Sequence, residues 1–295
     1  MTNSPVARWV LAFRPRTLTA ALAPILVGTG LAALHGIPCR WHLSLFAVLS
    51  AAMIQIATNL FNDALDFRKG TDTAERLGPC RVTQAGLIPA SRVLVGGGVA
   101  AVAAVAFGMP LVMAGGWPIV VIGVVSLLFA YGYTGGPFPL AYLGLGDVFV
   151  ILFFGLVAVG GVYYLQSHTF GADTVIAGLQ VGMLATALLA VNNLRDVEED
   201  RKAGKRTLAV RFGITFGRYE IAVLCLVPFA LNLWWAWSGA WTTALLPLLA
   251  LPLGARVIRG VFTHEPGVVY NRLLAGTAAL QLVFGILLTL GMFHD

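Results

Sequence analysis

A chain of 295 residues that is 58% apolar, only 11% charged and of net charge +6 carries less than half of the roughly 25% charged residues usual in a soluble domain. Its 19 basic and 13 acidic side chains cannot cover a soluble surface, which excludes an ordinary cytosolic enzyme and a disordered or fibrous chain and leaves a polytopic membrane protein. The positive balance is assigned to orienting membrane spans, so no nucleic-acid partner is expected.

Uncharged runs of about 20 residues read as spanning helices. Nine occur in chain order, over 17–35, 43–63, 93–114, 117–133, 138–166, 174–194, 219–238, 240–256 and 273–293. The fifth carries Asp147 near its start, and the eighth contains Pro247 and Pro252. The runs are continuously apolar and lack the ten-residue alternation of a β-barrel. The expected fold is therefore all-α, a bundle of about nine transmembrane helices forming one domain over 1–295. The first run, beginning near Thr17, has no small-residue cleavage context and reads as a span. Cys39, Cys80 and Cys225 fit no disulfide or zinc spacing.

Nine spans place 18 of the 19 Lys and Arg residues on one side of the membrane, with Arg40 alone on the other. By the positive-inside rule the N-terminus and the loops after helices two, six and eight are cytoplasmic. Trp41, Trp117, Trp234, Trp235, Trp237 and Trp241 then fall near the outer boundary, as an aromatic belt.

Eight of the 13 carboxylates sit in two short cytoplasmic segments. The first holds Asn59, Asn62, Asp63, Asp66, Asp72 and Glu75, and the first four lie at i, i+3, i+4 and i+7, one face if the second helix continues. The second holds Asn192, Asp196, Glu198, Glu199 and Asp200, with Asn192, Asp196 and Asp200 spaced by four. Acidic side chains at a helix C-terminus oppose the macrodipole, and like charges at i+3 and i+4 repel. Such an arrangement calls for a compensating cation, and closely set Asp and Asn oxygens suit Mg²⁺. Asp63, Asp66, Asp196 and Asp200 together balance two Mg²⁺. Magnesium usually shares its shell with substrate phosphates, and Lys69, Arg81, Arg195, Arg201, Lys202, Lys205 and Arg206 stand beside the clusters. Together these imply a metal–diphosphate site.

These segments resemble the UbiA superfamily of intramembrane aromatic prenyltransferases, whose pattern is two Asp-rich motifs after helices two and six. Asn59–Asp72, Gly78–Gly86 and Asn192–Gly213 are most similar to the menaquinone branch, the 1,4-dihydroxy-2-naphthoate polyprenyltransferases. The resemblance implies Mg²⁺-dependent transfer of a polyprenyl group from its allylic diphosphate to dihydroxynaphthoate, with loss of CO₂ and diphosphate. It implies that Asn62, Asp63, Asp66, Asp196 and Asp200 hold the metals, with Asn59, Asn192 and Asp72 as further ligands. Lys69, Arg81, Arg201 and Lys202 would clamp the diphosphate, with Gln84 and Arg195 also contacting substrate. Tyr131 and Tyr133 would stabilise the carbocation, and Arg14, Arg16 or Arg195 would meet an acceptor carboxylate. Asp147, where relatives often carry Glu, either orients a hydroxyl or is a polar helix start. Gly96–Gly98, Gly155, Gly160 and Gly161 either open a groove for the prenyl tail or pack helices closely. The expected setting is a bacterial inner membrane, in contact with lipid, with the site on the cytoplasmic side. Two readings compete: a family member with a hydroxybenzoate, homogentisate or porphyrin-type acceptor, and an ion-coupled transporter. The transporter is disfavoured because its sites lie near the bilayer midplane.

Overall fold

The computed structural model describes residues 4–70, 77–78, 81–136 and 139–295, without the side chains of Arg16 and Ala141. It is 82% helical, and no strand occurs among the described residues. In chain order the α-helices are α1 (Pro5–Phe13), α2 (Pro15–Leu34), α3 (Trp41–Arg68), α4 (Ala90–Gly115), α5 (Trp117–Gly132), α6 (Leu140–Leu143) and α7 (Gly146–Val150). After a π-helical stretch, Ile151–Val157, come α8 (Ala158–Ser167), α9 (Ala172–Arg195), α10 (Val197–Lys202), α11 (Leu208–Ala230), α12 (Asn232–Trp237) and α13 (Trp241–Leu245). A 3₁₀ stretch, Leu246–Ala250, leads into α14 (Leu251–Thr263), and α15 (Tyr270–His294) ends the chain.

Among the described residues eight helical stretches are long and apolar enough to cross a membrane. The ninth expected span, α5, has 16 residues, about 24 Å at 1.5 Å per residue against a hydrocarbon core of about 30 Å. The ends of several runs differ from expectation. α3 continues five residues past 63 to Arg68, because the polar face of its last turns is covered by protein. The fifth run starts at Gly146, not 138, since Pro139 and Gly144 (φ 73°) set α6 off as a separate turn. The seventh reaches back to Leu208 with a break at Gly213 (φ 87°), and the eighth extends past Arg256 and Arg259 to Thr263.

α2 and α9 are the central helices, and α4 faces outward along most of its length. The largest core joins them to α8, α11 and α15 through Leu31, Leu184, Leu194, Ile221, Phe284 and Leu288. A smaller core, including Leu60, Val93 and Ala57, joins α1, α3 and α4. Trp235 departs from the expected outer belt. It is fully buried, and its Nε1 donates to Gln180 Oε1 at 3.0 Å, whereas Trp41, Trp117, Trp237 and Trp241 are exposed. A buried indole needs an acceptor, and Gln180 on α9 supplies one.

Backbones meet where side chains are smallest, as in membrane bundles generally. The π-helical stretch lies against α9 at Gly155. A Cβ there would strike the Gly178 carbonyl oxygen and fall 2.8 Å from the Gly182 Cα. Gly155→Ala is accordingly expected to separate the two helices at a cost of about 1–3 kcal/mol, read as a lowered melting temperature in detergent.

Candidate active site

α3 delivers the first acidic segment, but its one sequence face divides in two. At 100° per residue the pair Asn62 and Asp66 lies about 60° around the helix from Asn59 and Asp63. Asn62 and Asp66 turn towards the end of α9 and line a cavity of about 210 Å³. Asn59 and Asp63 turn the other way. Asn59 Nδ2 donates to the Phe13 carbonyl at 3.0 Å and to Thr17 Oγ1 at 2.9 Å, tying α3 to the α1–α2 corner. Asp63 is 1% exposed and accepts the backbone N–H groups of Val82 and Thr83, both at 3.1 Å. Neither residue is among those lining the cavity, although Asp63 Oδ2 lies 4.0 Å from Nη2 of Arg14, which is; in this structure both act as anchors, and Asp63 holds the start of the 81–88 turn, and with it Arg81. Asp63→Ala would leave two backbone donors buried without an acceptor, at about 1–3 kcal/mol each. Lower thermal stability, with faster hydrogen exchange at Val82 and Thr83, is the expected result.

The second segment is likewise not one helix. α9 stops at Arg195, Asp196 is the bent junction (φ −96°, ψ 14°), and Asp200 sits on α10. The bend still leaves Asn192, Asp196 and Asp200 on the cavity wall with Asn193 and Glu199. The two Asp-rich segments therefore face one space. Arg14, Arg81 and Lys205 supply its positive charge, and Tyr133, Thr134, Asp147, Leu189 and Thr207 complete much of the lining.

Each described acidic group of the two segments is held by a donor. Arg81 Nη2 reaches Asp66 Oδ2 at 3.2 Å, and the Tyr142 hydroxyl donates to Asp66 Oδ1 at 3.2 Å. Lys205 Nζ lies 3.2 Å from Asp200 Oδ1. Arg195 grips Asp196 with both Nε and Nη2 at 2.6 Å, and it also donates to Asn192 Oδ1 and Asn271 Oδ1, each at 2.8 Å. Asn271 closes this network by donating to the Leu77 carbonyl at 3.0 Å, while the Leu77 N–H donates to Glu199 Oε1 at 3.1 Å. Asn62 Oδ1 accepts from Thr134 Oγ1 at 2.5 Å.

Several other expected site residues stand elsewhere. The Arg195 side chain has no exposed surface and holds Asp196 and Asn192 in place. Arg201 and Lys202 point to solvent, and Arg201 pairs with Glu198 one turn away at 2.7 Å. Lys205, four residues after Arg201, takes the cavity position because the chain turns at Gly204 (φ 72°). Lys69 reaches the Thr134 carbonyl at 2.5 Å with its ammonium 4.5 Å above the Tyr142 ring, outside the cavity lining. Gln84 is half-buried in the turn and does not line the cavity. Tyr131 is 45% exposed and packs edge-on against Phe61, whereas Tyr133, just past the end of α5, lines the cavity. Burial and the charges of Asp147, Asp200 and Asp66 push the Tyr133 phenol well up, so it stays protonated. Asp72 lies outside the described residues. Arg14 has a left-handed backbone (φ 52°) where α1 turns into α2. This conformation costs a non-glycine residue about 1–2 kcal/mol, and it brings the guanidinium to the cavity.

The donor set fits Mg²⁺ shared with a phosphate ligand. Asn62, Asp66, Asn192, Asp196 and Asp200 offer hard oxygen ligands, with no thiolate or imidazole among the described lining residues. Among the described residues no three His, Cys, Asp or Glu side chains are grouped closely enough for an all-protein metal cage.

The UbiA prenyltransferase family profile matches residues 21–266. The 1,4-dihydroxy-2-naphthoate octaprenyltransferase of Haemophilus influenzae is 34% identical over 99% of this chain and 97% of its own length. The enzyme of the same name from Escherichia coli is 35% identical over 99% of this chain and 98% of its own. Among solved structures, a UbiA homologue from Archaeoglobus fulgidus bound to DMAPP and Mg²⁺ is similar, with TM-score 0.60, 15% identity and coverage of 95% of this chain and 99% of that one. A multi-pass helical membrane protein matched over nearly its whole length in this way is an enzyme of known lineage, and the chain belongs to the UbiA prenyltransferase family.

Proposed function

We propose that the protein transfers a polyprenyl group from an allylic polyprenyl diphosphate to 1,4-dihydroxy-2-naphthoate, releasing diphosphate and CO₂, in a Mg²⁺-dependent reaction. The observation that carries this reading is the meeting of Asn62 and Asp66 with Asn192, Asp196 and Asp200 around one cavity that also holds Arg14, Arg81 and Lys205. The near full-length similarity to two dihydroxynaphthoate octaprenyltransferases supports the acceptor, and the A. fulgidus homologue bound to DMAPP and Mg²⁺ supports the metal and the allylic diphosphate.

Asn62, Asp66, Asn192, Asp196 and Asp200 would hold Mg²⁺, which when bound supplies positive charge against the diphosphate as the allylic C–O bond breaks. Arg81 and Lys205, resting on Asp66 and Asp200, add charge to the same leaving group, and Arg14 adds more at the rim. Their value lies in being already in place as negative charge develops. Tyr133 offers an aromatic face to the allylic cation, an interaction of about 0.5–2 kcal/mol. Its neutral phenol suits that task. The surrounding bundle excludes water that would otherwise capture the cation. The abundance of Lys and Arg near this end of the bundle supports a cytoplasmic active site in a bacterial inner membrane.

The test uses the full chain in liposomes with a labelled allylic polyprenyl diphosphate and carboxyl-labelled dihydroxynaphthoate. Prenylated naphthol and labelled CO₂ should form together with Mg²⁺, and both should cease with EDTA. Transfer to hydroxybenzoate but not to dihydroxynaphthoate would overturn the acceptor. No metal-dependent consumption of any allylic diphosphate by folded protein would overturn the enzyme reading.

A further inference from the structure

Five described acidic side chains line the cavity, and four of them have a donor from another residue. Asp66 is met by Arg81 and Tyr142, Asp196 by Arg195, Glu199 by the Leu77 N–H, and Asp200 by Lys205. Asp147 differs. It is 7% exposed, no donor reaches its Oδ1, and no ion pair joins it to a described Lys or Arg. A buried carboxylate oxygen without a donor is costly, and such atoms are rare enough in native structures to require an explanation.

The surroundings of Asp147 suit a planar hydroxylated ring. Its neighbour Gly146 has no side chain, and a Cβ there would lie 3.2 Å from both the Tyr133 hydroxyl and Leu189 Cδ2. A phenol, an isobutyl group and an unsatisfied carboxylate thus meet on one wall. The backbone is held there from both directions. Thr186 Oγ1 of α9 lies 3.4 Å from the Asp147 carbonyl, and the π-helical stretch begins four residues later, clamped to α9 through Gly155 and Gly182. π-helical turns are frequent at functional sites.

We infer that Asp147 accepts a hydrogen bond from a ring hydroxyl of the aromatic acceptor and so selects and orients it; this rests on reading the chain as an aromatic prenyltransferase. The ring lies against Leu189 and Tyr133, and its O–H donates to Asp147 Oδ1. As the allylic carbon, released from diphosphate, bonds to the ring carbon that carries the carboxylate, the hydroxyl oxygen becomes a carbonyl and its proton passes to Asp147. Loss of CO₂ returns an electron pair to the ring, and the oxygen takes its proton back. No net proton is gained or lost by the protein.

The test compares wild type, Asp147→Asn and Asp147→Glu, as full chains in liposomes. In Asp147→Asn the acceptor KM should rise about tenfold or more, equivalent to about 1.4 kcal/mol. The KM for prenyl diphosphate and the Mg²⁺ midpoint should stay within about twofold. Equilibrium titration with dihydroxynaphthoate alone should show the same weakening, and Asp147→Glu should recover part of it. In equilibrium binding wild type should discriminate against an acceptor whose hydroxyls are methylated, and Asp147→Asn should lose most of that discrimination. Melting temperature should be unchanged or higher in Asp147→Asn, since an unsatisfied buried charge is removed. An unchanged acceptor KM overturns the inference, as does a shifted Mg²⁺ or prenyl diphosphate midpoint in its place. Wild type that transfers to no hydroxylated ring overturns the aromatic prenyltransferase reading itself.

Discussion

Asp66→Asn is expected to lower prenyl transfer by about 10²–10³-fold while the protein remains folded. The amide keeps one oxygen for Arg81 and turns its NH2 to the Tyr142 hydroxyl, whose oxygen can accept where its O–H now donates to the second carboxylate oxygen, so packing and most hydrogen bonding survive. What disappears is a negative charge on the cavity wall, which in the proposed reaction would hold Mg²⁺ against the departing diphosphate. The loss should appear in kcat at saturating substrates, with a melting temperature close to wild type. The opposite pattern is expected at Asp63, three residues earlier, whose hydrogen bonds come from backbone N–H groups. If Asp66→Asn lost stability and kept its turnover, Asp66 would be structural and the metal would lie elsewhere.

Arg195→Met should produce the largest loss of stability of any single change in the site. The Arg195 side chain is fully buried and binds Asp196, Asn192 and Asn271. Methionine fills similar volume but leaves Asp196, itself 5% exposed, without its counter-charge. Breaking one member of a buried ion pair costs about 3–5 kcal/mol, a large part of a typical total of about 5–15 kcal/mol. Poor recovery of monodisperse protein and a sharply lowered melting temperature are expected. The double variant Arg195→Met/Asp196→Leu should regain much of the stability, because two apolar groups of matched size replace a buried pair at little net cost. It should not regain activity, because Asp196 also lines the cavity. A single variant that melts like wild type would show that Arg195 does not hold the end of α9 to α15 through Asn271.

The helices and the rough place of the site were legible from sequence because both depend on one-dimensional signals. Long apolar runs mark the spans, and carboxylates at their ends stand out in a chain with 13 acidic residues. Direction around a helix was less legible. Asn59, Asn62, Asp63 and Asp66 fall within one broad polar face, and only the packed neighbours decide that Asp63 meets the 81–88 turn while Asp66 meets the cavity. The same limit separates Tyr131 from Tyr133: one packs on Phe61, and the other, just beyond the helix end, turns inward. Spacing by four suggested a continuous helix through Asn192, Asp196 and Asp200, but the bend at Asp196 and the turn at Gly204 move Lys205 into the position expected of Arg201 and Lys202. Asn271 could not be found this way at all. It enters from the last helix, 76 residues beyond Arg195, and nothing local to it signals a partner in the second acidic segment.

The central claim is that two acidic segments form one metal–diphosphate site. It is tested most directly by equilibrium binding of a non-reacting allylic thiodiphosphate, with and without Mg²⁺, to wild type, Asp66→Asn, Asp200→Asn and the double variant. Residues that hold one ligand together give strongly non-additive losses, whereas independent sites add to within about 0.5 kcal/mol. A shared site should give Mg²⁺-dependent binding that either single change nearly abolishes, with little further loss in the double variant. Additive losses, or binding indifferent to Mg²⁺, would contradict it.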